Sequence, residues 1–181
     1  MKTMATVSLI FNAYLVYALG GLATDIQKTN ADNTHMLNQR LAVLEVEQFI
    51  EAKQPWRNAA ERRGYAELIV DAANEFGKPP LMVARVAMAE SSLNPKAIGD
   101  GGKAVGVMQI WPKWWVGTVP FVAKASDLKD PRTNIRAGAW ILRHYADRCG
   151  SDPEKYLACW NGGERPNAQA RAYARRVAGG V

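Results

Sequence analysis

The chain has 181 residues, 48% of them apolar and 22% charged, and a formal net charge of +6. This is the profile of one modest globular domain with an appendage, and it excludes wholesale disorder. The positive balance calls for an anionic partner, but Lys and Arg are scattered without a nucleic-acid motif. The sequence is therefore read as not binding nucleic acid, and the anionic bacterial envelope fits the charge equally well.

The first segment, residues 1–23, carries Lys2 and then an uncharged run over 4–23. Twenty residues at helical rise just cross a bilayer. A cleavable signal peptide using Gly21-Leu22-Ala23 and a retained membrane anchor both suit this run, and a buried helix of a soluble protein is the plainer alternative. Either export or anchoring puts the rest of the chain outside the inner membrane, facing the periplasm, or in a virion membrane if a phage encodes it. Residues 24–58 read as a linker. Leu37, Leu41, Leu44, Phe49 and Ile50 recur at near-helical intervals in it, so a helix of roughly 30 Å is expected over 32–53. It is a spacer, a short coiled coil, or an amphipathic helix folded onto the domain.

From residue 59 to 181 helix follows helix. Expected helices cover 59–76, ending at Gly77-Lys78-Pro79-Pro80, then 81–91, a short one over 107–116, one beginning at Pro131, then 153–160 and 168–178. A turn-rich loop with Gly99, Gly101 and Gly102 lies between Ser92 and Gly106, and 117–130 is read as irregular. No strand alternation is convincing, so the domain is expected to be all-α with little or no sheet.

The site chemistry concentrates at Glu90. It closes an apolar helix containing Val83, Val86 and Ala87 and meets a polar, glycine-rich turn. A carboxyl group losing hydration there has a raised pKa and can serve as a general acid near neutrality. A solvated helix-end glutamate is the plain alternative. The remaining composition leaves little else: with only His35 and His144, and two cysteines, there is scant material for a Ser-His-Asp triad, and neither a metal site nor a cofactor motif is legible.

Glu90-Ser91 with Asn94-Pro95-Lys96-Ala97, Gly106-Val107-Met108-Gln109-Ile110, Asn134-Ile135-Arg136-Ala137-Gly138, Cys159-Trp160-Asn161-Gly162-Gly163, and Tyr173 with Val177 stand in that order. Together they resemble the catalytic domain of soluble lytic transglycosylases, the goose-lysozyme-like glycoside hydrolase family 23. The resemblance covers roughly residues 79–177, and five ordered elements are far more specific than one. It implies a lysozyme-like α domain acting on peptidoglycan, with Glu90 as both acid and base. The acid would protonate the oxygen between N-acetylmuramic acid and N-acetylglucosamine, and the carboxylate would then deprotonate the muramyl 6-hydroxyl, giving a 1,6-anhydro end. It also implies substrate-side roles for Ser91, Met108, Gln109, Trp160, Asn161 and Tyr173. The bare residues leave alternatives: a helix-end bond for Ser91, packing for Met108 and Gln109, loop geometry for Asn161, a core role for Tyr173.

Three positions depart from the family pattern. Trp160 replaces a tyrosine, Gln169 a frequent glutamate, and Gly99, beside Asp100, an expected serine. Asp100 keeps a two-carboxylate, goose-type hydrolase as an alternative, and a non-catalytic glycan-binding envelope or virion protein is a second. One of Trp111, Trp114 and Trp115 is expected to meet glycan; Trp111 and Trp115 would share a helix face. Cys149 and Cys159 are read as a disulfide or as buried thiols. Partners in a phage particle or secretion machine are possible on this reading.

Overall fold

The computed structural model describes the backbone over residues 2–180 and side chains from residue 19. Contacts divide the chain into Met1–Leu41 and Ala42–Val181. In the first unit a single helix, α1 (Lys2–Lys53), begins and carries on past its boundary. Leu19, Leu22, Ile26, Leu37 and Leu41 are exposed on it. Most of the apolar run over 4–23 lies outside the described side chains. Among the described residues, no helix is long and apolar enough to cross a membrane.

The second unit is a helical domain. Its elements are α2 (Ala59–Glu75), α3 (Pro80–Ser91), two two-residue strands β1 (Ile98–Gly99) and β2 (Ala104–Val105), α4 (Pro112–Trp115), α5 (Pro131–Cys149), α6 (Pro153–Gly162) and α7 (Ala168–Ala178). Helix starts follow the side-chain chemistry. Asn58, Asp130, Asp152 and Asn167 each accept a first-turn N–H, and Pro80, Pro131 and Pro153 occupy first-turn positions where a missing N–H does no harm. The core gathers Val43, Val46 and Ile50 from the end of α1 with Ile69, Val83, Ile135, Leu142 and Leu157. One face of the segment 42–53 thus packs into this unit, as expected for the amphipathic helix that the sequence offers beside a spacer and a coiled coil.

The strands pair antiparallel, Ile98 opposite Val105 and Gly99 opposite Ala104. The helix expected over 107–116 is shorter than its sequence pattern. Val105 and Ile110 form a β-bridge, Gln109 has a left-handed φ of 47°, and helix begins only at Pro112. Trp111 precedes that helix, so it shares no helical face with Trp115. The segment read as irregular contains a 3-10 turn at Ala125–Lys129.

The physical reason for the broken helix is Asn134. Its buried carboxamide accepts from the Met108 N–H at 2.7 Å and donates to the Val105 and Leu128 carbonyls at 2.9 and 2.8 Å. Gly106, at φ 79°, lies so close that a Cβ there would strike the Asn134 side chain and the Leu128 carbonyl. Gly138, one helical turn along α5, leaves room for Met108, whose Cε would stand 2.6 Å from a Cβ at that position. The Gly106–Ile110 and Asn134–Gly138 motifs are therefore two halves of one clasp.

Cys149 and Cys159 are joined as a disulfide, tying the end of α5 to α6 with Cα atoms 6.7 Å apart. In the loop-entropy picture a bridge of this span contributes about 2.7 kcal/mol.

Asn134→Ala removes three hydrogen bonds, two of them fully buried, and orphans the Met108 N–H and the Leu128 carbonyl, while the Val105 carbonyl keeps the Ile110 N–H. At roughly 1 kcal/mol or more per bond, a loss of about 3–5 kcal/mol is expected. Urea denaturation followed by far-UV circular dichroism measures it, and a loss below 1 kcal/mol would contradict the clasp.

Candidate active site

Glu90 occupies the last turn of α3, which ends because Ser92 and Leu93 adopt left-handed conformations, φ 55° and 57°. Leu93 is nonetheless fully buried, and its insertion drives the turn. Two further groups hold the turn. Gln54, itself buried, donates from Nε2 to the Ser92 carbonyl at 2.7 Å, and Ser91 donates from Oγ to the Val107 carbonyl at 2.7 Å. Ser91 also accepts from the Asn94 N–H. Its hydroxyl thus joins the acid-bearing helix to the clasped loop.

The Glu90 carboxyl is half-buried and asymmetrically bonded. Tyr173 on α7 donates from its hydroxyl to Oε1 at 2.6 Å, and Trp160 on α6 donates from Nε1 to the same oxygen at 2.8 Å. Oε2 has no hydrogen-bond partner among the described residues. Burial pushes the Glu90 pKa above the ordinary carboxylate range. The Tyr173 and Trp160 bonds oppose that rise, nearby Asp100 adds to it, and Arg176 reduces it slightly. Burial and the Glu90 charge together raise the Tyr173 phenol, which stays protonated as a donor. The arrangement suits a carboxyl that carries its proton on the free oxygen and loses it in use.

A cleft of about 810 Å³ opens in front of Glu90. Gln109, Trp160 and Asn161, expected at the site from sequence, line it together with Asp100. The Gln109 amide donates to the Gly106 and Ala97 carbonyls at 2.9 and 3.2 Å, which leaves its Oε1 against Gly99. A Cβ at position 99 would press on that oxygen, so a residue larger than glycine there shifts the tip of the Gln109 side chain. Asp100 accepts from Trp111 Nε1 at 3.0 Å.

Met108 and Ser91 are not among the cleft-lining residues. Met108 is fully buried against Gly138, because the Asn134 clasp turns its backbone inward. Tyr173 reaches Glu90 from behind.

On the opposite wall the sequence singles out Trp114 and Trp115 as glycan candidates but not the residues around them. Trp115 stands edge-on to Trp140, His144 and Tyr145, with ring centroids 6.2, 5.5 and 5.8 Å away, and His144 stacks on Trp140 at 5.5 Å. Trp115, His144 and Tyr145 line the cleft, as does exposed Trp114. Arg148 and Glu164, joined as an ion pair, close its end. Their positions on α5 and after α6 carry no local signal; only helix packing brings them together. Among the described residues no group of His, Cys, Asp and Glu is placed to hold a metal ion.

Residues 67–179 match the family model of the transglycosylase SLT domain. The chain belongs to this family. It is 33% identical over 116 residues to a transglycosylase of Enterobacteria phage PRD1, a match covering 61% of this chain and 40% of the phage protein. Among solved structures it resembles the lytic transglycosylase Slt of Pseudomonas aeruginosa, determined as an inactive glutamate-to-glutamine mutant. That match has a TM-score of 0.55 and 19% identity, and covers 75% of this chain and 28% of that one. A 70-kDa soluble lytic transglycosylase in complex with bulgecin A matches with a TM-score of 0.51 and 25% identity, over 82% of this chain and 24% of that one. The SLT domain here therefore shares the fold of much longer proteins.

Removing either donor to Oε1 should raise the Glu90 pKa further, since each bond stabilises the charged form. The sign for stability is fixed by the same shift. A carboxyl whose folded pKa exceeds its unfolded value stabilises the fold most below the unfolded pKa. It loses that contribution as pH rises through the folded pKa. Tyr173→Phe is expected to move the titration of Glu90, followed by carboxyl NMR, to higher pH. A downward move would mean that the Tyr173 hydroxyl does not favour the charged carboxylate.

Proposed function

We propose that this protein is a peptidoglycan lytic transglycosylase that cleaves the β-1,4 bond between N-acetylmuramic acid and N-acetylglucosamine with Glu90 alone as acid and base. The observation that carries the reading is the Glu90 carboxyl itself: desolvated, held by two donors on Oε1, and unpartnered at Oε2 beside the cleft. Its proton passes from Oε2 to the glycosidic oxygen as the bond from that oxygen to the muramyl C1 breaks. Glu90, now a carboxylate, takes the proton of the muramyl 6-hydroxyl as O6 bonds to C1. The proton inventory closes with no water consumed, and an internal hydroxyl held near C1 outcompetes water through effective molarity. Positive charge developing at C1 is stabilised by the substrate's N-acetyl group, and Gln109 and Asn161, which line the cleft, orient the sugars. The net charge of +6 assists approach to an anionic wall. The setting is local opening of the wall from the periplasmic side or from outside, with anchoring by the segment 1–23 and phage-particle or secretion-machine partners as part of the same proposal.

Glu90→Gln keeps size and hydrogen bonding but removes the titrating proton. Cleavage of purified peptidoglycan is expected to fall about 10²–10⁴-fold. The same variant, freed of a desolvated acid, should melt at a higher temperature than the parent chain at pH 7. A rate close to that of the parent chain would end the assignment.

Asp100 lines the same cleft and supports the competing two-carboxylate hydrolase. Mass spectrometry of the products separates the two. The single-acid reading expects products lighter by one water, without a reducible muramyl end, and little change of rate in Asp100→Asn. Reducing ends together with collapse of Asp100→Asn would establish hydrolysis.

A further inference from the structure

Behind the Arg148–Glu164 pair that closes the cleft lies a second hollow of about 460 Å³. The two residues line both hollows, so the ion pair is a shared wall. Beyond it the second hollow presents Lys155 from α6 and Arg171 and Arg175 from α7. Arg171 donates to the Pro166 carbonyl at 3.0 Å, a neutral acceptor that leaves its charge uncompensated. The side-chain cations of Lys155 and Arg175 make no hydrogen bond or ion pair among the described residues. The opposing acids are Asp152, whose Oδ1 is committed to the N–H groups of Glu154 and Lys155, and Glu154 itself. Three cations thus face a concave surface with more positive than negative charge, separated from the reaction cleft by one salt bridge.

Resting on the proposed function, we infer that this second hollow receives the acidic peptide branch of the substrate. The muramyl sugar that reacts at C1 carries its peptide on O3, so the branch must leave the cleft close to the scissile bond. A branch of three residues spans about 10 Å. Glu164, four residues beyond Trp160 in the chain, lines both the cleft and the second hollow. The branch carboxylates are then met by Arg171, Arg175 and Lys155, and Arg148 and Glu164 form the sill over which the branch passes. Such partly exposed contacts act on binding and on approach, are weakened by salt, and leave the chemical step at Glu90 alone.

The test is the preference of the full chain for peptidoglycan strands bearing peptide branches over strands stripped of them by an amidase, expressed as the ratio of kcat/KM. Arg175→Glu, which touches no hydrogen bond of the fold, should lower that ratio about five- to tenfold through KM, and the effect should shrink as salt is raised. An unchanged ratio would overturn the inference while leaving the transglycosylase reading intact. If the parent chain cleaves neither substrate, that reading fails, and binding decides the hollow independently. A soluble muramyl peptide should bind the Glu90→Gln chain more tightly than the same sugar without its branch, and Arg175→Glu should abolish the difference. Free branch peptide should compete at concentrations where inorganic phosphate does not. Equal affinity for both sugars, or phosphate as the better competitor, would reassign or remove the site.

Discussion

Two hydrogen bonds converging on one oxygen of Glu90 are what the rest of the domain serves to arrange. A carboxyl with no donors in this setting would hold its proton more firmly, and one in water would be ionised at neutral pH. Burial raises the pKa, and the Tyr173 and Trp160 donors restrain the rise. Both donors come from elements remote in sequence, so their distances of 2.6 and 2.8 Å depend on how α6 and α7 pack beside α3. The close approach of Gly162 to Ala170 draws α6 and α7 together, and the Cys149–Cys159 bridge sets α6 against α5.

The front of the acid depends on a second constraint. Ser92, Leu93, Asp100 and Gln109 are non-glycine residues with positive φ, and all lie in the stretch between the acid-bearing helix and α4. Such backbone states are sparsely populated and persist only where their surroundings compensate. Here the compensation is identifiable. Leu93 is buried, Gln54 and Ser91 bind carbonyls on either side of the turn, and Asn134 satisfies three backbone groups across the loop. The strain aims Gln109 and Asp100 into the cleft.

Two departures from the family pattern, Trp160 and Gly99, sit beside identifiable partners, and nothing in the structure explains Gln169. With Trp160, an indole N–H does the donating, and since it can only donate, it cannot compete for the Glu90 proton. At position 99 the absence of a side chain makes space for the Gln109 carboxamide. Across the cleft, the packed rings of Trp115, Trp140, His144 and Tyr145 form a stiff wall whose aromatic faces are as much structural as available to sugar.

Sequence alone determined the helical class, the starts of α2, α3, α5, α6 and α7, the glutamate that closes α3 and the linear motifs, because these are set by local periodicity, capping side chains and residue order. It also held the clasp in latent form: Gly106–Ile110 and Asn134–Gly138 were visible as separate motifs, but nothing local says that one grips the other. Tertiary structure alone decided that Met108 turns inward, that Ser91 secures a loop, that Tyr173 and Trp160 meet on one carboxyl oxygen, and that the tail of the apparent linker belongs to the core. It alone placed Arg148 beside Glu164 and formed the aromatic wall. Each of these is a contact between residues far apart in the chain, and side-chain direction at such a contact follows from helix packing rather than from any neighbour in sequence.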